Sequence, residues 1–361
     1  MPIREESFRI GCGRYIQGAG YIQKIADEVE RLGRYPMLIG DDTTLALTQQ
    51  KIENSLSARG LALEAVTHNG TCNDERAREL ADLARAKGCD VVIGAGGGVL
   101  MDFAKLVAHF AGTPVINIPT SSATCACYAP LSVRYTPQGR TVGSLHYQKE
   151  VDAVIADTEI LAAQPKRLLL AGVFDALAKF LEIKQRYREG EACPMGLDYA
   201  FVMAKHSFEV LMQHTQGCIA DMEKGEITPR VEQVIFTALA ATGVISGIAR
   251  GSNQCALAHK FYETTRLLFP ESAKPYLHGE IVGVGLLLQN HFNGELFYNT
   301  ELLSLMRAHG MPCCVADVGV ATDETTERDY YLRICDSSAI NKADAAECAR
   351  FAQSLHYLFT L

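Results

Sequence analysis

The stretch Asp90-Val91-Val92-Ile93-Gly94-Ala95-Gly96-Gly97-Gly98 decides the fold of this 361-residue chain. Its first half is a continuous apolar run, the pattern of a strand buried on both faces in a parallel sheet. It passes straight into glycines, where the chain turns and backbone N–H groups lie bare. A helix is expected next, over about Leu100–Phe110, stopping near Gly112. Upstream, Asn73 stands where an N-cap should, with Asp74 and Glu75 in the first turn. Ala77, Leu80, Ala81 and Ala84 then recur on one helix face until Gly88. Further out, Pro36-Met37-Leu38-Ile39 reads as a strand ending at Gly40-Asp41-Asp42. A helix from Thr43 towards Leu56 stops at Gly60, and Leu61–Val66 is the next strand. Downstream, Val115-Ile116-Asn117-Ile118 is a strand ended by Pro119. Strands alternating with helices mean repeated βαβ units and a mostly parallel sheet, whose ligands lie at the carboxyl ends of the strands. Gly40-Asp41, Gly96-Gly97-Gly98 and Thr120-Ser121-Ser122 all fall there.

After residue 163 long helical periods take over: about Leu168–Tyr187, Met195–Gln213, Val231–Ser246, Gln254–Leu268, His278–His291 and Thr300–His309. The expected organisation is an α/β domain over 1–162 and an all-α domain over 163–361. Residues 188–194 and 322–328 read as solvated loops.

Composition narrows the function classes. Lys+Arg number 34 against 42 Asp+Glu, a net charge of −8, so the basic footprint of a nucleic-acid binder is missing. The apolar run Ile281–Leu288 is far shorter than the ~20 residues a spanning helix needs. The charged start, Met1-Pro2-Ile3-Arg4-Glu5-Glu6, has no apolar core of a secretory signal. No membrane partner and a cytoplasmic location are expected. The twelve cysteines are scattered without any Cys-x-x-Cys pair, which reads as reduced thiols used as small apolar residues.

The glycine turn admits two readings: a phosphate cradle at a helix N-terminus, or a tight turn without ligand. Asp102, in the first turn of that helix, is placed to bond the turn or a cofactor hydroxyl. Asp41 is the kind of residue that takes a ribose hydroxyl, and Asp41-Asp42 would repel the 2′-phosphate of NADP. If a dinucleotide binds, NAD is therefore favoured. Asp175 lies in the apolar helix Ala171-Gly172-Val173-Phe174-Asp175-Ala176-Leu177-Ala178-Lys179, and a buried carboxylate needs a partner. His259 and His278 sit in similar helical contexts. Together the three would bind a divalent ion with a position open for substrate. Singly, each histidine reads first as a structural one.

These pieces together resemble the glycerol dehydrogenase branch of the iron-containing alcohol dehydrogenase family. The match runs through Gly13-Arg14-Tyr15-Ile16-Gln17-Gly18, Ile39-Gly40-Asp41-Asp42, the strand and glycines of 90–98, Pro119-Thr120 and Leu131-Ser132-Val133-Arg134-Tyr135. It resumes at Ala171–Ala178, Ala258-His259 and His278-Gly279-Glu280. The resemblance implies a dehydroquinate synthase-like architecture. An α/β domain holds NAD, a helical domain holds a metal, and the active site lies in the cleft between them. It implies ligands at Asp175, His259 and His278, normally for Zn²⁺ with Fe²⁺ as the alternative. It implies cofactor contacts at Asp41, Gly97, Gly98, Asp102, Thr120, Leu131 and Tyr135. A homo-oligomer, with the octamer common in this branch, is also implied.

The chain departs from the glycerol dehydrogenases at the substrate. Val99 stands where they carry Lys, Cys125 where they carry an Asp that contacts the polyol, and Tyr262 where they often carry a second His. Ala123 and Ala129 replace polar cofactor contacts. Thr124-Cys125-Ala126 with Pro130-Leu131-Ser132-Val133 looks closer to a sister group, the hydroxycarboxylate dehydrogenases, which reduce 2-oxo acids. Cys125 is the candidate substrate residue, and Arg134 or Lys149 the candidate partner of a substrate carboxylate. The expected activity is metal-dependent hydride transfer between NAD(H) and a small secondary alcohol or 2-hydroxy acid. The alternatives are a sugar-phosphate cyclase of the dehydroquinate-synthase type, for which basic residues near the ligands are scarce, and a catalytically dead binding relative.

Overall fold

The computed structural model describes residues 8, 10–187, 193–249 and 254–361. Most of the loop expected over 188–194 lies outside the described residues. The chain forms two compact units, one of Arg9–Leu169 with Gly217–Val244, the other of Met1–Phe8, Leu170–Gln216 and Ile245–Leu361. The division falls at 169/170, where sequence periodicity placed it at 162/163. Periodicity also gave no sign that 217–244 belongs with the α/β unit.

The α/β unit is built on six parallel strands: β1 (Tyr15–Gly18), β2 (Pro36–Gly40), β3 (Glu64–Thr67), β4 (Val91–Gly96), β5 (Val115–Pro119) and β8 (Ala153–Asp157). Their order is β1-β8-β5-β4-β2-β3. A two-stranded antiparallel hairpin, β6 (Leu131–Tyr135) and β7 (Thr141–His146), stands apart from it. Helices α1 (Ile25–Leu32), α2 (Asp42–Ser57), α3 (Asp74–Lys87) and α4 (Gly98–Ala111) supply crossovers, and α5 (Thr158–Ala162) follows the last strand. β2, β4, β5 and β8 are buried along their whole length, as both-face coverage demands. Their side chains share one core with Ile22, Ile25, Ile52 and Leu56. Asn73 caps α3 by accepting the Arg76 N–H at 2.9 Å, and Gly88 ends it at φ 76°. β1 and β8 are short and went unread in the sequence, whereas a hairpin is expected around Gly143–Lys149 and its second strand lies at Thr141–His146.

The helical unit contains most of α6 (Lys166–Arg186) and α7 (Met195–Glu223), which run through the division points. It also contains α10 (Leu257–Leu268), α11 (Pro270–Ala273), α12 (His278–Asn293), α13 (Leu296–Ala308), α14 (Glu324–Cys335) and α15 (Ala345–Phe359). The expected loop at 322–328 is corrected. Asp323 accepts the Thr326 N–H at 2.9 Å and starts α14 there. Its high charge hid the two apolar residues, one turn apart, that help hold it, Tyr330 and Ile334.

The α/β unit also holds α8 (Pro229–Phe236) and a π-helical turn over Thr237–Ala241, and α9 (Thr242–Ile248) runs through the division at 244/245. Together, Pro229–Ile248 is long and apolar enough to cross a membrane by length and composition, which the reading of 281–288 alone passed over. Val231, Val234, Ile235, Ala238 and Leu239 of this run are buried in the protein. None of the twelve cysteines forms a disulfide. Burial pushes the Cys72 thiol up to about 12 and the Cys12 thiol up to about 11, so both are inert apolar groups at neutral pH.

Candidate functional site

Three helices of the helical unit bring Asp175 (α6), His259 (α10) and His278 (the first residue of α12) together. One donor atom from each lies within 4.8 Å of the others. The close approach is made by glycines on α12. A Cβ on Gly279 would fall 1.8 Å from the Ala171 carbonyl oxygen of α6, and one on Gly285 2.7 Å from the Ala258 carbonyl oxygen of α10. With no side chain at either place, α12 lies backbone to backbone against both neighbours. Arg266 fixes the approach to His278 by donating to the carbonyls of Ala273 (2.6 Å) and Tyr276 (2.5 Å).

Asp175 Oδ1 is the shared atom. His259 Nε2 lies 3.4 Å from it and His278 Nε2 3.6 Å. For metal–ligand bonds of about 2.0–2.1 Å the donor–donor edges of a tetrahedron are roughly 3.3–3.4 Å. The donors are thus spaced for a small divalent ion, and two imidazoles with one carboxylate leave a coordination position open. These residues fit the metal the family implies.

A second layer holds the first. Glu182 is fully buried and its Oε2 lies 2.5 Å from His259 Nδ1. Its other oxygen accepts the backbone N–H groups of Ala256 (2.7 Å) and His259 (2.9 Å) at the start of α10. Gln289 accepts the N–H of Leu257 at 2.9 Å. One carboxylate therefore caps the helix and orients the imidazole, leaving Nε2 to face Asp175. Lys179, also buried, places Nζ 3.3 Å from Asp175 Oδ1. Burial pushes the Asp175 carboxyl up, but Lys179 and the two imidazoles more than reverse this and hold it well below the usual range. Burial opposes a charge on His259, yet Cys255 and Glu182 raise it well above an ordinary histidine. Burial lowers His278. Tyr262 packs edge-on against the His278 ring, centroids 4.2 Å apart.

In the α/β unit, strand connectivity reverses between β2 and β4, the place where open α/β sheets bind ligands. Asp41 follows β2, Gly97 and Gly98 follow β4, and Thr120 follows β5. Gly97 is the N-cap of α4 and offers no side chain to its first-turn N–H groups. The Thr120 N–H donates to the Gly96 carbonyl at 2.9 Å, tying two of these loops together. A Cβ on Gly98 would lie 2.9 Å from Thr124 Oγ1. Asp41 caps α2: its Oδ1 accepts the Thr44 N–H at 2.7 Å. Asp42 accepts from Asn69 at 2.8 Å.

Asp102 requires a correction. Its carboxylate, expected at the turn or a cofactor hydroxyl, is turned inward. Oδ1 pairs with Lys105 at 2.9 Å, and Oδ2 accepts the Val133 N–H at 2.9 Å. Lys105 in turn donates to the carbonyls of Ala126 (2.7 Å), Ala129 (2.8 Å) and Leu131. This buried pair clamps the segment carrying Cys125 and Leu131 onto α4. Cys125 is half-buried at the head of a short 3₁₀ turn, Cys125–Cys127. The Tyr135 N–H donates to the Cys72 carbonyl at 2.8 Å. The two cations expected to meet a substrate carboxylate both stand in ion pairs. Arg134 pairs with Asp74 at 2.9 Å and Lys149 with Asp152 at 2.8 Å.

Sequence reasoning missed Lys179, Glu182, Lys105 and Gln289. A signal for the first two was present: Asp175, Lys179 and Glu182 stand at i, i+4 and i+7, a charged stripe on one face of an otherwise apolar helix.

The comparisons with known proteins agree with this geometry. Residues 12–158 match the model of the family described as iron-containing alcohol dehydrogenase. A glycerol dehydrogenase of Pseudomonas putida is 31% identical over 322 residues, covering 87% of this chain and 86% of that one. Hydroxycarboxylate dehydrogenase A of Escherichia coli K12 is 28% identical, covering 99% of this chain and 94% of that one. The crystal structure of a probable glycerol dehydrogenase from Sinorhizobium meliloti 1021 superposes with a TM-score of 0.81 at 25% identity, over 99% of both chains. The chain belongs to the iron-containing alcohol dehydrogenase family. It is an NAD-linked, metal-dependent alcohol oxidoreductase, and nothing in these relationships favours a sugar-phosphate cyclase.

Proposed function

We propose that this enzyme interconverts a small 2-hydroxy acid or secondary alcohol and its carbonyl form, using NAD(H) and one divalent ion. The convergence of Asp175, His259 and His278 carries the reading. Those three residues would hold the ion, with Zn²⁺ favoured by an open tetrahedral set and Fe²⁺ compatible with a two-histidine, one-carboxylate face. A divalent ion there supplies a Lewis acid for the alcohol or carbonyl oxygen. NAD supplies the hydride acceptor.

The chain's own residues do the positioning. Glu182 keeps the proton of His259 on Nδ1, so Nε2 is available as a ligand. Tyr262 and the neighbouring α12 backbone limit the freedom of the His278 ring. Gly97, Gly98 and Thr120 offer backbone N–H groups and a hydroxyl to a pyrophosphate. Asp41 and Asp42 disfavour a 2′-phosphate. Leu131 and Tyr135, on the hairpin clamped to α4, complete the cofactor contacts. Cys125 is the substrate residue: it neither accepts strongly from a polyol nor repels a carboxylate as Asp would. Self-association supports itself on the family resemblance and on Met195, Tyr199 and Val202, which are exposed on one face of α7.

The test is a steady-state panel of 2-oxo acids, hydroxyketones, aldehydes and glycerol against NADH, NADPH and their oxidised forms, with metal content measured on the same protein. Turnover of acids or small hydroxyketones with NADH by protein holding about one ion per chain is expected. Turnover that survives complete metal removal would sink the reading.

A further inference from the structure

We propose that Lys179 is the residue that selects an anionic substrate, pairing its ammonium with the carboxylate of a 2-oxo or 2-hydroxy acid bound at the Asp175, His259, His278 centre. The inference rests on the metal-centred reading above and names the substrate class of that site.

Three observations carry it. The first is place. Lys179 Nζ is 3.3 Å from Asp175 Oδ1, the same oxygen that His259 and His278 approach at 3.4 and 3.6 Å. The ammonium therefore stands beside the donor set, on the ligand oxygen that both imidazoles approach. The second is burial. The Lys179 side chain is 5% exposed and that of Asp175 7%. A cation so far from water needs anionic partners, and its attraction for them is weakly screened.

The third is charge balance. Asp175 and Glu182 bring two negative charges, Lys179 one positive and a divalent ion two more, with both imidazoles neutral as ligands. One positive charge is left over in a buried site. Without Lys179 the same set is neutral. A monoanionic substrate cancels the excess, and a neutral polyol does not. Arg134 and Lys149 belong to the other unit, where they pair with Asp74 and Asp152. Among the described residues, Lys179 is the one lysine or arginine that forms an ion pair with a member of the donor set.

The experiment compares metal-loaded wild type with Lys179→Met and Lys179→Arg. Pyruvate serves as the acid probe and hydroxyacetone as a neutral probe of similar size. Binding of oxamate, an unreactive acid, is measured by calorimetry, and metal content is measured throughout. Truncating one partner of a buried charge pair lowers affinity on the order of 10²-fold. The ratio of kcat/KM for pyruvate over hydroxyacetone should therefore fall by about that factor in Lys179→Met, mainly through KM. Oxamate affinity should fall in parallel, the ion should stay bound, and Lys179→Arg should recover part of the ratio. An unchanged ratio, or loss of the ion from Lys179→Met, would show a counter-ion for Asp175 only and overturn the proposal. If the Met variant does not fold, Lys179→Gln is carried through the same measurements with the same outcomes. Wild type that prefers hydroxyacetone overturns the role of Lys179 while leaving the dehydrogenase reading intact. Wild type that reduces neither probe counts against that reading instead, and the oxamate comparison still decides Lys179.

Discussion

The two candidate regions are made in opposite ways. On the α/β unit, loops after β2, β4 and β5 present mostly backbone: Gly97 and Gly98 at a helix N-terminus and the N–H groups around Thr120. On the helical unit, the centre is made of ionisable side chains from three helices, stacked in two buried layers. A backbone site is fixed by topology and tolerates change in most of its side chains. A side-chain site is fixed by a network in which each group depends on its partner. The first should respond to mutation in small steps, and the second should fail abruptly.

The largest effect is expected at His278. His278→Ala removes a ligand, so metal content should fall below a tenth of wild type and turnover by roughly 10³-fold or more. NADH affinity, measured by fluorescence titration, should stay within about threefold, because the contacts proposed for it lie in the other unit. Parallel loss of both would erase the contrast between the regions.

Next comes Glu182→Gln. The amide can still accept the two N–H groups of α10, but its NH₂ then faces His259 Nδ1. That favours the tautomer protonated on Nε2, the wrong nitrogen for a ligand. Metal affinity should drop about 10- to 100-fold, as for other histidine-orienting carboxylates. Competition with a chromogenic chelator measures it. An unchanged affinity would reduce Glu182 to a helix cap.

A third outcome concerns pH. In the metal-free protein His259 is raised well above an ordinary histidine, so it is protonated at neutral pH, while His278 is lowered and neutral. An incoming ion must displace the His259 proton. About one proton should be released per ion, and affinity should rise about tenfold per pH unit from the ordinary histidine range up to the raised value, falling as pH falls. Calorimetry in buffers of different ionisation enthalpy counts the proton. Release of none would mean that His259 is already neutral.

The smallest effect belongs to the backbone region. Asp41 caps α2 as well as carrying charge, so Asp41→Asn is the informative change: it keeps a capping oxygen. Preference for NADH over NADPH should narrow by up to about tenfold, the scale of one partly screened charge contact. Metal affinity should not move. A preference that stays wide would show that the acidic pair does not face the ribose.

The same contrast explains what the sequence discloses. Period and punctuation made β2, β4, β5 and α2–α4 readable, because Gly40, Gly88, Gly97 and Gly112 mark turns that topology requires. β1 escaped because Tyr15-Ile16-Gln17-Gly18 is only half-buried and not an apolar run, β8 because no glycine or proline closes it, and α14 because half of it is exposed. In the helical unit the ligand types could be named from Asp175, His259 and His278. Their convergence could not, since it depends on Gly279 and Gly285 letting helices touch across about a hundred residues of chain. Lys179 and Glu182 went unread because they were seen as members of a helix and not as neighbours of a ligand one or two turns away. The ion pairs of Arg134 and Lys149 were hidden for the converse reason. Their charge was visible, and Asp74 and Asp152 become partners only in three dimensions.

Glu182 ties the imidazole of His259 to the first amides of its own helix. The coordination centre and the start of α10 are therefore one mechanical part. An ion that stabilises the folded state adds its binding energy to whatever equilibrium it gates, and here that equilibrium is the fraying of a helix end. The amides of Ala256 and His259 thus serve as a native gauge of occupancy. Their exchange with solvent deuterium slows when the ion is in place and quickens when it leaves, whether or not the enzyme has anything to turn over.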